Sequence, residues 1–332
     1  MRSIIVLTAL AFTVNLAGAQ ERLIVDRAYV QEAARRTALV WDVRSADDYR
    51  KGHIPGAVNI GDIARVLRDD NTEDFIAIDR IEKILGAAGI DPAREIVFYG
   101  SRGTWNPYFG HYTAQYFGGR RARVYHDGIE DWSAAGLPVS RDDARLAPIA
   151  LTLRVNPAAS VSTRDVVAKL NQPGVQIVDV RTPKEYSGED IRAIRGGHIL
   201  GAVNIPYENN WVDPATPQKL ARREVADSSG MSLKPADQLK ALYAKLDPDK
   251  ETIVYCQSGA RASETAGVLQ HLGFKNVKVY DSSWLGYGNT LDAPANNVTF
   301  FNVGLLNGRI SSMQNRIEQL ERELADTKAG RK

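Results

Sequence analysis

The sequence predicts an α/β protein of two tandem domains, each a parallel sheet with helices on both faces, followed by one amphipathic helix. Three observations carry this. Val40–Ile60 (VWDVRSADDYRKGHIPGAVNI) is echoed by Ile177–Tyr207 (IVDVRTPKEYSGEDIRAIRGGHILGAVNIPY), short β-branched runs alternate with helical patterns, and apolar residues recur in steps of three and four near the C-terminus. A repeat longer than about a hundred residues signals duplicated domains, not a solenoid. Alternating strands and helices signal a parallel sheet covered on both sides.

Residues 1–19 read as a secretory signal. Arg2 supplies the positive start, Ile4–Val14 the apolar run and Ala17-Gly18-Ala19 the small-residue cleavage pattern, so a secreted or periplasmic chain is expected to begin at Gln20. The apolar run is short for a membrane span, which leaves an uncleaved anchor as the alternative and predicts no stable span after cleavage. Cleavage removes Arg2 and no acid, taking the formal charge from +2 to +1. Such a balance excludes an obligate nucleic-acid binder, which carries a strongly basic face.

The first domain, residues 20–140, is expected to open with a helix capped by Asp26, followed by a strand ending in Asp-Val-Arg. A helix near Asp79–Ala88 and a strand over Glu95–Tyr99 follow, leading into the loop of Gly100, Ser101, Arg102 and Gly103, with Trp105 and Tyr108 nearby. Charge and proline interrupt the pattern in a linker, residues 141–156. The second domain, residues 157–296, starts with a helix capped by Ser162. In the repeat, Asp42 matches Asp179, Arg44 matches Arg181, Tyr49 matches Tyr186, His53 matches His198 and Gly56 matches Gly201.

The chemistry concentrates in Glu251–Ser263 (ETIVYCQSGARAS). A buried strand ends at Cys256, the only cysteine, and turns within a few residues into a helix near Ala262. A glycine and small neighbours let the backbone N–H groups of Gln257, Ser258, Gly259, Ala260 and Arg261 curl inward as an anion cradle. The cradle, the helix dipole and Arg261 all favour thiolate over thiol. A single cysteine forms no internal disulfide, so it is either a buried small hydrophobe or kept for chemistry; strand, cysteine, glycine loop and arginine together favour chemistry. The matching stretch EIVFYGSRGTW (Glu95–Trp105) has Gly100 in the cysteine's place. The first domain therefore lacks the nucleophile, and either scaffolds the second or lines a cleft with it.

The remaining polar residues have quieter roles. Asp179 and Arg181 are expected to form a hydrogen-bonded brace beneath the cysteine loop. His53 and His198 read as structural, Ser282 and Trp284 as cleft-lining after the strand Val277–Tyr280, and no spacing suggests a metal or another cofactor. In residues 303–332, Ile310, Met313, Ile317, Leu320 and Leu324 form a stripe of about two heptads. A helix of this kind is marginal alone and needs a partner. Self-association into a homo-oligomer is the expectation, and docking onto the chain's own domains the alternative.

The two Asp-Val-Arg segments, the two Gly-His-Ile segments, the Cys256 loop and the endings YHDGIEDWSAAGLPV (Tyr125–Val139) and YDSSWLGYG (Tyr280–Gly288) resemble those of tandem-domain rhodaneses over about Ile24–Asn289. That resemblance implies a sulfurtransferase with an inactive first copy and an active second one. Its cysteine would take a sulfane sulfur from a small donor anion such as thiosulfate, hold it as a persulfide and pass it to cyanide or a thiol. Cys256 would be the nucleophile, and Gln257, Ser258, Gly259, Ala260 and Arg261 the donor-binding loop. The four residues between Cys256 and Arg261 are one fewer than in the related phosphatases, which disfavours phosphate-ester hydrolysis. Two positions depart from the thiosulfate-specific pattern: Glu185 and Gln257 stand where arginines are common. They keep open a sulfur carrier or anion-binding module serving a protein partner, and 3-mercaptopyruvate as the donor.

Overall fold

The computed structural model describes residues 22–36 and 38–330. The signal-like stretch and its expected cleavage lie outside the described residues. In the first domain, β1 (Leu39–Asp42), β2 (Ile96–Tyr99) and β3 (Ala122–Tyr125) pair in parallel in that order, and all four residues of each are buried. Val58 adds a parallel bridge to Trp41 on one side and Ile24 one to Val124 on the other. The second domain repeats the plan with β4 (Val175–Asp179), β6 (Val203–Asn204), β7 (Glu251–Tyr255) and β8 (Asn276–Val279), all parallel in the order β6-β4-β7-β8. Ser160 bridges Val279 as Ile24 bridges Val124. The caps sit where the sequence places them: Asp26 accepts the Tyr29 N–H at 2.9 Å, and Ser162 and Asp165 form a reciprocal capping box.

The sheets are not purely parallel. β5 (Arg195–Ile199) and β9 (Ala295–Phe300) form an antiparallel pair in the second domain, with a register shift between Gly196 and His198, and His53 and Ser140 make an antiparallel bridge in the first. The glycines that permit this pairing also hide it from the sequence. A Cβ on Gly196 would come within 2.4 Å of Thr299 Oγ1, and one on Gly197 within 2.3 Å of the Asn296 carbonyl. Only a residue without a side chain lets these backbones approach, and glycine carries no strand signal.

The domains share a core. The helix after β2 (Asn106–Tyr116) lies against its equivalent after β7 (Ala260–His271), so that Tyr108, Phe109 and Tyr112 belong to one apolar cluster with Val254, Ala262 and Ala266. Gln115 and Gln270 exchange amide hydrogen bonds of 3.3 and 3.2 Å at the edge of this contact. The first domain's loop is itself covered. Met231 sits over Gly103, His126 Nε2 lies 2.9 Å from the Met231 carbonyl, and Ser232 donates to Asp127.

The C-terminal helix, Val303–Ala329, is capped by Asn302, and none of its residues is buried. It does not dock onto the chain's own domains, which removes that alternative. Among the described residues no helix is long and apolar enough to cross a membrane.

The shared core makes a prediction. A Cβ on Gly267 would lie 2.7 Å from Cδ1 of the fully buried Tyr108. Gly267→Val is therefore expected to lower the unfolding free energy by about 1–3 kcal/mol through overpacking. Urea denaturation checks this, and an unchanged midpoint would contradict the tight helix contact.

Candidate active site

β7 is a fully paired central strand, flanked by β4 and β8, and it delivers Cys256 at its C-terminal end. Gly259 takes a left-handed conformation (φ 77°) and the helix begins at Ala260. A Cβ at Gly259 would lie 2.4 Å from Asp281 Oδ1, so both the conformation and the space require glycine.

The loop carbonyls are tied outward one by one. Those of Cys256 and Gln257 accept from the N–H groups of Trp284 (3.0 Å) and Leu285 (2.8 Å), that of Gly259 from Ser263 N–H (3.0 Å), and that of Ala260 from Ser263 Oγ (2.6 Å). The Ser258 carbonyl accepts from Arg68 of the first domain. Ser283 Oγ accepts from the N–H groups of Cys256 (3.0 Å) and Gly259 (2.9 Å) while donating to the Tyr280 carbonyl. None of these bonds uses the N–H groups of Gln257, Ser258, Ala260 or Arg261. With the carbonyls engaged elsewhere, these four N–H groups remain at the start of the helix that follows Cys256, where its positive end lies.

Beneath the loop, Asp179 and Arg181 form a buried bidentate pair with contacts of 2.6–3.1 Å. Tyr255, the residue before Cys256, donates to Asp179 at 2.6 Å, and the Arg181 guanidinium lies 4.6 Å from the Trp284 ring centroid. This holds the end of β7 from below. Asp42 and Arg44 repeat the pair in the first domain. His53 and His198 stack on Tyr49 and Tyr186 at 3.7 and 3.6 Å and reach backbone carbonyls with Nδ1.

Cys256 opens on a cavity of about 510 Å³ lined by both domains. Gln257, Ser258, Ala260, Arg261 and Arg192 come from the second domain; Ala64, Arg65, Arg68, Asp69, Asp70, Glu73 and Trp105 come from the first. The first domain is thus part of the cleft, chiefly through residues 64–73 rather than through its own glycine loop. Cys256 is only 1% exposed, so the cavity reaches the sulfur at the bottom of a core otherwise made of apolar side chains. Ser282 and Trp284 do not line this cavity. Ser282 donates to Asp74 across the domain contact at 2.8 Å, and Trp284 is buried with its indole N–H on the Arg195 carbonyl.

Arg68 was invisible to sequence reasoning because its partners lie about two hundred positions away in the chain. Buried in the domain contact, it binds Ser258, approaches Asp281 at 3.4 Å and stacks 5.1 Å from the Phe109 centroid. Burial pushes the Asp281 carboxyl up to about 7, against the pull of Arg68.

Arg261 faces the cavity, yet its terminal nitrogens are occupied. Nη1 and Nη2 donate to the two carboxylate oxygens of Glu185 at 2.8 and 2.7 Å, and Arg192 reaches Glu185 at 3.2 Å. Burial would raise the Glu185 carboxyl, but hydrogen bonding and charge from Arg261 outweigh it and hold it at about 2. The pair is ionised, and the charge of Arg261 is largely compensated within the wall. Gln257 Nε2 anchors to the Arg192 carbonyl at 2.7 Å, leaving its buried Oε1 without a hydrogen-bond partner. Among the described residues no cluster of histidine, cysteine and carboxylate side chains is suited to a metal ion.

A lone cysteine at the floor of a two-domain cleft, at the end of a central parallel strand and just before a helix N-terminus, is the arrangement of an α/β protein suited to sulfur chemistry. Residues 26–135 and 162–290 both match the model of the rhodanese-like domain, and the chain belongs to the rhodanese family. Its single cysteine lies in the second copy, consistent with one persulfide-forming domain and an inactive first one. It is 34% identical over 262 residues to a thiosulfate sulfurtransferase of Corynebacterium glutamicum, covering 74% of this chain and 80% of that protein. It is 31% identical to a putative thiosulfate sulfurtransferase of Mycolicibacterium smegmatis, covering 79% and 92%. It is also 31% identical to the sulfur carrier protein TtuD of Thermus thermophilus, covering 74% and 86%. The anaerobic ergothioneine biosynthesis enzyme from Chlorobium limicola shares the fold, with a TM-score of 0.69 at 22% identity over 82% of this chain and 69% of that one. The protein is accordingly a sulfurtransferase-type enzyme that works through a cysteine.

Two outcomes test the site. Glu185→Gln frees Arg261 for an incoming anion, so the KM for thiosulfate should fall about tenfold, the scale of one hydrogen bond to a charged group. An unchanged or higher KM would show that Arg261 does not reach the donor. For Asp281, a carboxyl raised from 3.8 to about 7 on folding adds stability at low pH and loses it as pH rises through 7. Asp281→Asn should flatten the dependence of unfolding free energy on pH between about 4 and 7. An unaltered slope in urea titrations would exclude Asp281 as its source.

Proposed function

We propose that the protein moves a sulfane sulfur from thiosulfate, or a similar small donor anion, to cyanide or a thiol through a persulfide on Cys256. The observation that carries this reading is the tethering of the loop carbonyls, which supports a cradle in which the N–H groups of Gln257, Ser258, Ala260 and Arg261 serve the sulfur. The Cys256 thiolate attacks the outer sulfur of thiosulfate; the Cys–S bond forms as the sulfur–sulfonate bond breaks, and sulfite leaves with the bonding pair. The free N–H groups hold the resulting Cys–S–S⁻ anion. An acceptor nucleophile then attacks the terminal sulfur, and Cys256 departs as thiolate. No proton transfer is required between anionic partners, so no general base is assigned.

Glu185 supports a second reading. With Arg261 compensated, the wall offers a dianionic donor less attraction than an unpaired arginine would. A donor of lower charge, 3-mercaptopyruvate among them, or a role as a sulfur carrier for a protein partner, fits that electrostatic setting. The sulfur-carrier name of the Thermus thermophilus relative is in keeping with the carrier role. In either case the signal-like pattern of residues 1–19 supports work outside the cytoplasm, and the exposed apolar stripe of the C-terminal helix supports self-association.

Intact mass tests the central step. After thiosulfate, the purified protein should gain one sulfur atom that cyanide removes, and Cys256→Ala should gain none. Repeated turnover to thiocyanate supports the enzyme, whereas loading once without release to small acceptors supports the carrier. Failure to load from thiosulfate, mercaptopyruvate and polysulfide alike would sink both.

A further inference from the structure

The C-terminal helix carries a longer seam than its apolar core suggests. Val303, Leu306, Ile310, Met313, Ile317, Leu320 and Leu324 follow unbroken steps of three and four. The helix starts at Val303 because Asn302 caps it through the Leu305 N–H at 3.0 Å, bringing Val303 and Leu306 into register. Every seam residue is exposed, from 38% at Leu306 to 65% at Met313. None of the 27 residues of this helix is buried, whereas helices in proteins draw most of their stability from packing such an apolar face, so the seam calls for a partner.

We propose that the partner is a second copy of this chain, bound through the helix as a parallel, in-register, two-stranded coiled coil. This rests on the reading of the helix as a self-contact and adds its orientation and stoichiometry. With Val303, Ile310, Ile317 and Leu324 at a and Leu306, Met313 and Leu320 at d, the seam is mostly β-branched at a and unbranched at Cβ at d, the arrangement that favours two parallel strands. The flanking charges agree. In a parallel pair each g residue faces the e residue five places on in the partner copy. Arg316 then meets Glu321, and Glu323 meets Lys328, both of opposite sign. Antiparallel pairing sets g against g: at full overlap Arg309 meets the other copy's Glu323, but Arg316 meets the other copy's Arg316, so fewer opposite charges face each other than in the parallel pair. Within one chain Arg316 only reaches Glu323 at 4.0 Å, both side chains more than half exposed, a contact worth little.

The root of the helix gives an independent reason. Phe300 and Phe301 are exposed beside Ile194, whose carbonyl accepts the Phe301 N–H at 3.2 Å. A parallel pair brings the two aromatic roots together, whereas an antiparallel one strands them about 40 Å apart, the length of the helix.

Sedimentation equilibrium of the purified chain should return twice the monomer mass, and Ile310→Glu with Ile317→Glu should return one. In a Cys256→Ala background, Leu306→Cys should oxidise to a covalent dimer, since the first d positions touch only in the parallel register. Arg316→Glu should weaken the dimer about fivefold or more, and adding Glu321→Arg should restore it. A monomeric mass at all concentrations overturns the self-contact itself. A dimer in which Leu306→Cys chains cross-link only to Leu324→Cys chains overturns the parallel register, and a trimer or tetramer overturns the two-stranded seam. Each outcome is separable from persulfide loading at Cys256.

Discussion

Everything at this site depends on which way a few peptide units point. A loop that turns its N–H groups toward a sulfur anion must turn its carbonyls away, and each buried carbonyl left unpaired costs about 1–3 kcal/mol. The protein meets this demand from three directions. The Ser283–Asn289 helix supplies two N–H groups, Ser263 supplies an N–H and a hydroxyl, and the first domain supplies Arg68. Ser283 completes the arrangement from below by absorbing the Cys256 and Gly259 N–H groups, at a backbone φ of 47° that its neighbours must hold. The cradle is consequently a property of the whole domain pair, although its backbone belongs to one short loop.

Duplication explains how an arginine from another domain came to hold that loop. The first copy keeps the structural apparatus of the second: the Asp42–Arg44 pair, the Tyr49–His53 stack, and a tyrosine at the end of the loop strand whose hydroxyl accepts a backbone N–H, from Ile54 in one copy and Ile199 in the other. What it lacks is the nucleophile, Gly100 standing in that place. Its loop is closed over by Met231 and Ser232, and its post-loop helix serves as the bed for the active copy's helix. Freed of chemistry, the domain contributes a wall and a clamp.

The parts legible in the sequence are those governed by local rules. Strand–cysteine–glycine–helix is contiguous, so the cradle follows from spacing; Asp179 and Arg181 lie two residues apart, so their pairing follows from proximity. Internal duplication exposed the missing cysteine directly. The β5–β9 pair escaped because Gly196 and Gly197 erase the alternation that marks a strand. Arg68 and Asp281 escaped because a contact spanning the domains leaves no periodic trace. Glu185 was legible as a departure in charge, but not as the bidentate partner of Arg261, since that contact joins a capping box to a helix N-terminus 76 residues away. The C-terminal helix was legible from residue 303, but Val303 and Leu306 were left off its stripe because Gly304 and Gly308 weaken the helical pattern around them.

The Arg261–Glu185 pair changes which force stabilises the sulfur. A guanidinium aimed at the cavity suggests Coulombic attraction, but a buried arginine bound at both terminal nitrogens by an ionised carboxylate presents a dipole rather than a net charge. Removing the arginine alone would leave the buried Glu185 with only the half-exposed Arg192 as a cationic partner, so Arg261 supports the structure whether or not a donor touches it. The N–H groups are different: backbone donors keep their polarity at any pH and are not cancelled by a neighbouring carboxylate. A site whose cation is compensated and whose amides are free holds a small, singly charged sulfur species through hydrogen bonds at short range, and gains less from the total charge of the molecule that delivers it. The rest of the cavity wall comes from the first domain, where Arg65 and Arg68 line it together with Asp69, Asp70 and Glu73. Whatever enters this cavity therefore meets side chains of the inactive copy as well as the cysteine of the active one.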